Sequence, residues 1–195
     1  MMNAAGRYFS MRDNVYIEGR WHLVDPTDKD GASLRGVFRS GKPASAATPI
    51  KLHHSKFAER GVPVDYVEID NEIVPVVHVR VAEILANLAP GDVEVFPVVI
   101  DEASGQYCIV NVITVRRCID EAASAYISKY AEEDRDVFPD KVGSYFRVSG
   151  LKIDKSQVQG ARVFRTWGWG AIIVAEEIKI ALETAHVTGV KFVEV

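Results

Sequence analysis

The apolar residues of this chain fall into short blocks, and most of those blocks have the rhythm of strands. Val93 to Ile100 and Tyr107 to Val115 are runs of β-branched and aromatic residues, separated by the turn formers Asp101, Ser104 and Gly105. They predict a β-hairpin, and the near-continuous apolar character of both arms predicts a sheet covered on both faces. Pro97 has no N–H to give to a ladder, so the first arm is expected at a sheet edge or a bulge. Pro63 to Val77 alternates at Val64 and Tyr66, with Asp70-Asn71 as its turn. Tyr8 to Trp21, including Val15 to Ile17, reads as one or two strands. Tyr145 to Val148 and Val163 to Arg165 are further short strands.

Helical spacing recurs in three places. Val81, Ile84, Leu85 and Leu88 share one face over 79–89, and Pro90-Gly91 stops the run. Ile119, Ala122, Ala123, Tyr126, Ile127 and Tyr130 predict a second helix over 119–131. Val174, Ile178, Ala181, Leu182 and Ala185 give the stripe of a third over 175–186, with Glu176, Glu177, Lys179 and Glu183 facing out. Gly189 fits the left-handed position after that helix. The chain then ends on the apolar run Val190 to Val195, so a strand-helix-strand module closes it. The expected class is α+β: mostly antiparallel sheet covered by about three helices. Residues 1–61 are expected to form an N-terminal lobe or an extension of the sheet, and 62–195 the core domain. Within the first of these, the small, polar loop Arg39 to Pro49 is the candidate for a mobile surface loop or a lobe boundary.

Composition narrows the class. With 195 residues, 48% hydrophobic and 26% charged, the chain can bury a core without disulfides or metals. A net charge of −4 is unfavourable for direct nucleic-acid binding. No stretch approaches the ~20 apolar residues of a membrane span, and the N-terminus lacks the apolar core of a signal peptide. A cytoplasmic protein, with no membrane association, is therefore expected. The acidity is local. Between Asp120 and Asp140 seven acidic residues face two basic ones, leaving five net negative charges.

Catalytic and metal motifs are scarce. His53 and His54 are adjacent, so on a helix or a strand they diverge, and no HxxxH, HExxH or Cys/His spacing accompanies them. Neither metal nor cofactor is expected. Cys118, beside Arg116 and Arg117, has no histidine near it in sequence to act as a base, and with Cys108 it reads as a small core hydrophobe. TWGWG (Thr166 to Gly170) contains neither GxGxxG nor GxxxxGK[ST]. It reads as a turn with a packed indole, or as an interface anchor.

The stretch DVEVFPV (Asp92 to Val98), the arm Tyr107 to Val112 and the CID element at Cys118 to Asp120, running on to Ser124, resemble a family of bacterial immunity proteins typified by one from Myxococcus. That family was once described only as a domain of unknown function. Its C-terminal pattern is matched by Val163-Phe164-Arg165, by Ile172 to Glu176, and by TGVKFVEV at Thr188 to Val195. The resemblance covers about residues 62–195. Ala175 departs from it, standing where the family often has a helix-capping Ser.

The resemblance implies a non-enzymatic protein that neutralises a toxin passed between competing bacteria, frequently a nuclease, encoded by an adjacent gene. The expected partner is that cognate toxin, bound by stoichiometric occlusion. The expected contact residues are the acidic Glu132, Glu133, Asp134 and Asp136 with the aromatic Trp167 and Trp169. Two other readings stand beside it: a hydrolase-like enzyme using His53, His54 and Asp65, and a regulatory binding module with no toxin partner.

Overall fold

Strand-forming runs dominate the fold as they dominate the sequence. A computed structural model describes residues 6–34, 36–45, 49–53, 55, 61–69, 74–100 and 106–195. The first strands are β1 (Tyr8–Asp13), β2 (Ile50–Leu52), β3 (Tyr66–Ile69), β4 (Val74–His78), β5 (Val93–Ile100) and β6 (Tyr107–Val112). The others are β7 (Val115–Arg116), β8 (Tyr126–Lys129), β9 (Tyr145–Ser149), β10 (Val163–Thr166), β11 (Ile172–Ala175) and β12 (Val190–Glu194). Helix α1 spans Val79–Leu88 and α2 Glu176–Thr184. One five-stranded sheet has the order β12-β1-β11-β10-β7, a second has β2-β5-β6-β4-β3, and β8 pairs with β9 alone. All strand pairs are antiparallel except β10 with β7 and β2 with β5. The class is α+β with sheet predominant.

The β5–β6 hairpin forms in the register Val93↔Val112 to Val98↔Tyr107, and β6 is buried along its whole length. Its turn residues Asp101, Ser104 and Gly105, and the Asp70-Asn71 turn, lie outside the described residues. Pro97 sits just before Val98, the first residue of β5 that β2 pairs. Among the described residues that side of β5 is open there, so the missing N–H is tolerated.

Two of the three expected helices form. The stretch 119–131 does not. The Asp120 carboxylate accepts from the N–H groups of Ala122 and Ala123, and Ser124 Oγ donates to the Asp120 carbonyl at 2.6 Å. These bonds make one capped turn, and the chain leaves it where the Ala125 N–H turns to the Gly150 carbonyl instead of continuing a helix. Beyond it Tyr126–Lys129 pairs with β9, as in Ile127↔Val148. Val15 to Ile17 is likewise a turn, with Tyr16 84% exposed. At the start of α2 Ala175 supplies no side-chain cap; the Glu176 N–H donates instead to the Arg7 carbonyl. Glu176 and Glu177 in the first turn complement the helix dipole. The residue that leaves this helix left-handed is His186, not Gly189. Val187 N–H reaches Leu182 O and His186 N–H reaches Glu183 O, the two bonds of a Schellman end.

Gly189 has a different task. A Cβ there would strike the Tyr66 carbonyl and Val64, because the turn into β12 presses against the start of β3. Asp65 holds the two together. Its carboxylate accepts from Thr188 N–H (2.8 Å), Thr188 Oγ1 (2.7 Å) and Arg80 Nε (2.9 Å), while Arg80 also donates to the Ala185 carbonyl. β12 then pairs with β1 over its full length.

Three apolar clusters result. The inner faces of both sheets, with Val81 and Leu85 of α1 and Ile178 and Leu182 of α2, form the central one. Trp21 and Phe38 cover the outer face of the second sheet. Leu151, Ile153 and Val158 cover Phe164 and Ile173 on the outer face of the first. Between the sheets runs a charged seam. Asp13 and Arg20 form a bidentate ion pair with side chains 4% exposed. Asp13 N–H donates to Glu68, Glu68 N–H donates back to Asp13, and Tyr66 OH donates to Glu68 at 2.8 Å.

Burial works to raise the Asp65 carboxyl, but the bonds from Arg80 and Thr188 outweigh it and hold it below its usual range. The clasp therefore contributes fully above about pH 4 and is lost as the pH falls through the depressed value. Asp65→Asn should cost about 1–2 kcal/mol near pH 7, since the Arg80 side of the pair is open to solvent. Urea unfolding at pH 7 and again near pH 3 should show that deficit shrinking in acid.

Candidate partner-binding site

TWGWG is the turn that joins β10 to β11, and glycine is required at both of its glycine positions. Gly168 and Gly170 have φ of +74° and +81°, where a side chain is strained. A Cβ on Gly168 would also lie 3.2 Å from the Tyr145 ring. Gly170 N–H donates to the Thr166 carbonyl and Ala171 N–H to Thr166 Oγ1, so Thr166 closes the turn from within. Trp167 and Trp169 are thereby held half-buried.

Behind the turn Arg165 is 2% exposed and donates to the carbonyls of Val112, Phe38 and Gly170. Burial pulls its guanidinium down to about 10, against the field of Tyr66 and Glu68. It is still charged at neutral pH. This one side chain ties the N-terminal segment, β6 and the TWGWG turn together.

The β8–β9 hairpin lies against the turn. Tyr145 N–H donates to the Gly168 carbonyl at 3.0 Å, and Tyr145 OH donates to Glu121 at 2.8 Å. Burial first, then that carboxylate, pushes the Tyr145 hydroxyl up to about 12, so it remains a donor. A bulge between Ser128 and Lys129 leaves Phe146 outside the ladder and 61% exposed. Phe146 and Phe138 each meet the Tyr130 ring edge-on at 5.3 Å. Val137, Phe138 and Tyr126 are exposed as well, so this hairpin carries an unusual concentration of uncovered apolar surface.

A cleft of 520 Å³ opens between turn and hairpin, lined by Trp167, Trp169, Tyr130, Tyr145, Phe146 and Lys141 among others. Trp169 also lines a neighbouring cleft of 560 Å³ with Glu68 and Lys191. Trp167 lines a third, of 340 Å³, with Arg117 and Cys118. Both tryptophans thus stand on the walls between concave surfaces.

The four acidic residues singled out in the sequence are placed differently. Glu132, Glu133 and Asp134 form a 3-10 turn at the far end of the hairpin, with Asp136 just after it. The Asp134 carboxylate accepts from the Ala131 N–H, and Glu132 pairs with Arg135 at 2.5 Å. They border the tryptophan cleft without lining it; of the acidic stretch only Asp140 does so. Sequence reasoning missed Arg117, Tyr126, Tyr130, Phe138, Tyr145 and Phe146. The alternation of YISKY and SYFRV was the available signal, obscured by helical spacing over 119–131.

Among the described residues, the other sequence candidates do not assemble into a catalytic centre. Asp65 is engaged by Arg80 and Thr188, His53 is exposed, and His54 lies outside the described residues. His78 Nδ1 caps α1 by accepting the Arg80 N–H. Burial raises both thiols, Cys118 to about 11, which keeps them protonated and poorly nucleophilic. No group of three or more His, Cys, Asp or Glu could hold a metal among the described residues. Nor, among those residues, is any helix long and apolar enough to cross a membrane.

Gly168→Ala tests how tightly this turn sets the site. It should cost about 1–3 kcal/mol through strain at a positive φ. Near-UV circular dichroism should show the two tryptophans losing their fixed environment before the rest of the fold melts.

No curated protein matches the chain. The sequence model of the immunity protein family (Imm11) matches residues 2–195, taking in the N-terminal segment along with the sheets, the hairpin and TWGWG. The chain therefore belongs to the Imm11 immunity protein family.

Proposed function

We propose that this protein neutralises a cognate bacterial toxin, encoded beside it, by binding it stoichiometrically in the cytoplasm and occluding its active site. Family membership supports the role. The observation that carries the choice of surface is the β8–β9 hairpin, where Val137, Phe138 and Phe146 are left uncovered beside half-buried Trp167 and Trp169. Aromatic anchors around a concavity are the usual composition of an interface hot spot, and an interface of about 1,600 Å² in total would take in hairpin and turn together. Binding rather than catalysis is the action we assign it, in keeping with the family.

The toxin is a nuclease in the reading favoured by charge. A nuclease binds phosphate through a basic face, and the turn at Glu132, Glu133, Asp134 and Asp136 offers that face a complement. Like many charge clusters at an interface rim, it would act on association more than on residence time.

Reversing those four residues to Lys should slow association with the toxin by about tenfold or more at low salt, with the difference fading as salt rises. Stopped-flow binding and a co-expression rescue assay read the two consequences. Unchanged association would remove the turn from the interface. Separately, Phe146→Ala with Trp167→Ala should weaken binding mainly through faster dissociation, by about 2 kcal/mol or more.

A further inference from the structure

The cleft between the TWGWG turn and the hairpin has a charge opposite to that of the turn beside it. Its charged lining is Arg39, Lys141 and the deeply buried Arg165 against Asp140. The neighbouring convex turn has Glu132, Glu133, Asp134 and Asp136 against Arg135. The acidic surface seen in the sequence is therefore only the outer half of a segregated pair: a negative ridge and a positive hollow.

Two cations at the hollow have a distinctive setting. Lys141 Nζ lies 5.4 Å from the Tyr130 ring centroid and 5.1 Å from that of Phe138. The Arg117 guanidinium lies 3.6 Å over Trp167, on the wall shared with the next cleft. Among the described residues neither forms an ion pair. Aromatic faces orient a cation while leaving its hydrogen-bond donors free in the outward direction. By contrast Lys129, in the same wall, is neutralised by Glu121 at 2.5 Å.

From this we infer that the cleft receives an acidic side chain, Asp or Glu, protruding from the bound toxin, with Lys141 as its counter-ion and Arg117 supporting it across Trp167. The inference rests on the immunity reading and adds the chemistry of the partner's inserted group. A carboxylate on a protein loop fits both halves of the surface, because the residues around it can be basic and meet the ridge. A nucleic acid fits less well. Its phosphates would continue past the hollow onto Glu132 and Glu133, where like charges repel.

The test uses the full chain with the toxin domain encoded by the adjacent gene. Lys141→Glu should weaken the complex roughly 30-fold or more, chiefly as faster dissociation, because it leaves two carboxylates facing each other. Lys141→Met, which keeps the stem over the rings, should lose less and confirm that packing is intact. A scan of toxin Asp and Glu residues to Lys should find one change that restores binding to Lys141→Glu and not to the wild type. Binding by Lys141→Glu within twofold of wild type overturns the inference while leaving the immunity role standing. So does rescue by reversing a toxin Lys or Arg. A wild-type chain that neither binds nor protects removes both readings. A labelled 20-nucleotide single strand forms the last arm: its tight binding, lost in Lys141→Glu while toxin binding persists, would assign the hollow to nucleic acid.

Discussion

Asp13 and Arg20 face each other through two parallel hydrogen bonds at a point that solvent scarcely reaches. Two charges in such a place are costly unless each is fully partnered, and removing either from a buried pair typically costs about 3–5 kcal/mol. Their partners come from separate parts of the chain. Asp13 ends β1, Arg20 belongs to the segment that covers the second sheet, and the reciprocal bonds with Glu68 reach β3. Tyr66, kept protonated by burial and by Glu68, completes the set. The seam is satisfied only when both sheets and the covering segment are assembled, so it couples their positions far more strictly than apolar contact could.

Arg165 extends the same logic toward the site. It lies in the field of Tyr66 and Glu68, and it reaches three carbonyls on three segments, one of them Gly170 of the TWGWG turn. A turn with two left-handed glycines would otherwise be pliable. Anchored from behind by a buried guanidinium and from the front by Tyr145, it holds its tryptophans in fixed directions. In the proposed interface, a surface held in its bound form beforehand would lose little entropy on association.

The hairpin supplies what the rigid turn lacks. Among the described residues β8 and β9 pair with each other alone, so the hairpin's apolar side chains are left uncovered by either large sheet. A two-stranded ribbon is marginal alone. Here the Asp120–Ser124 turn holds its base and Tyr145 the loop end of its ladder, beyond which the connecting loop carries the acidic residues. The charges are consequently separated by position: anions on the ridge, cations over aromatic rings at the hollow. In the proposed complex, affinity and association rate would then be set by different residues of one surface.

Local pattern determined much of this protein. The β5–β6 hairpin, α1, α2 and the β10–β11 strands follow from apolar spacing and turn residues, and the family could be recognised from residues 62–195. The acidity of 120–140 and the presence of two exposable tryptophans were also plain in the sequence. Tertiary structure decided the rest. Spacing over 119–131 satisfied a helix as well as a turn and strand, and the choice fell to pairing with β9. Periodicity reports which residues share a face, but not what that face meets. For the same reason, no spacing could reveal that Asp65 clasps Thr188, that Arg117 lies over Trp167, or that the acidic ridge stands beside a cationic hollow. The first joins residues 123 positions apart, the second depends on β7 pairing beside β10, and the third on a hairpin loop set against the turn between two other strands.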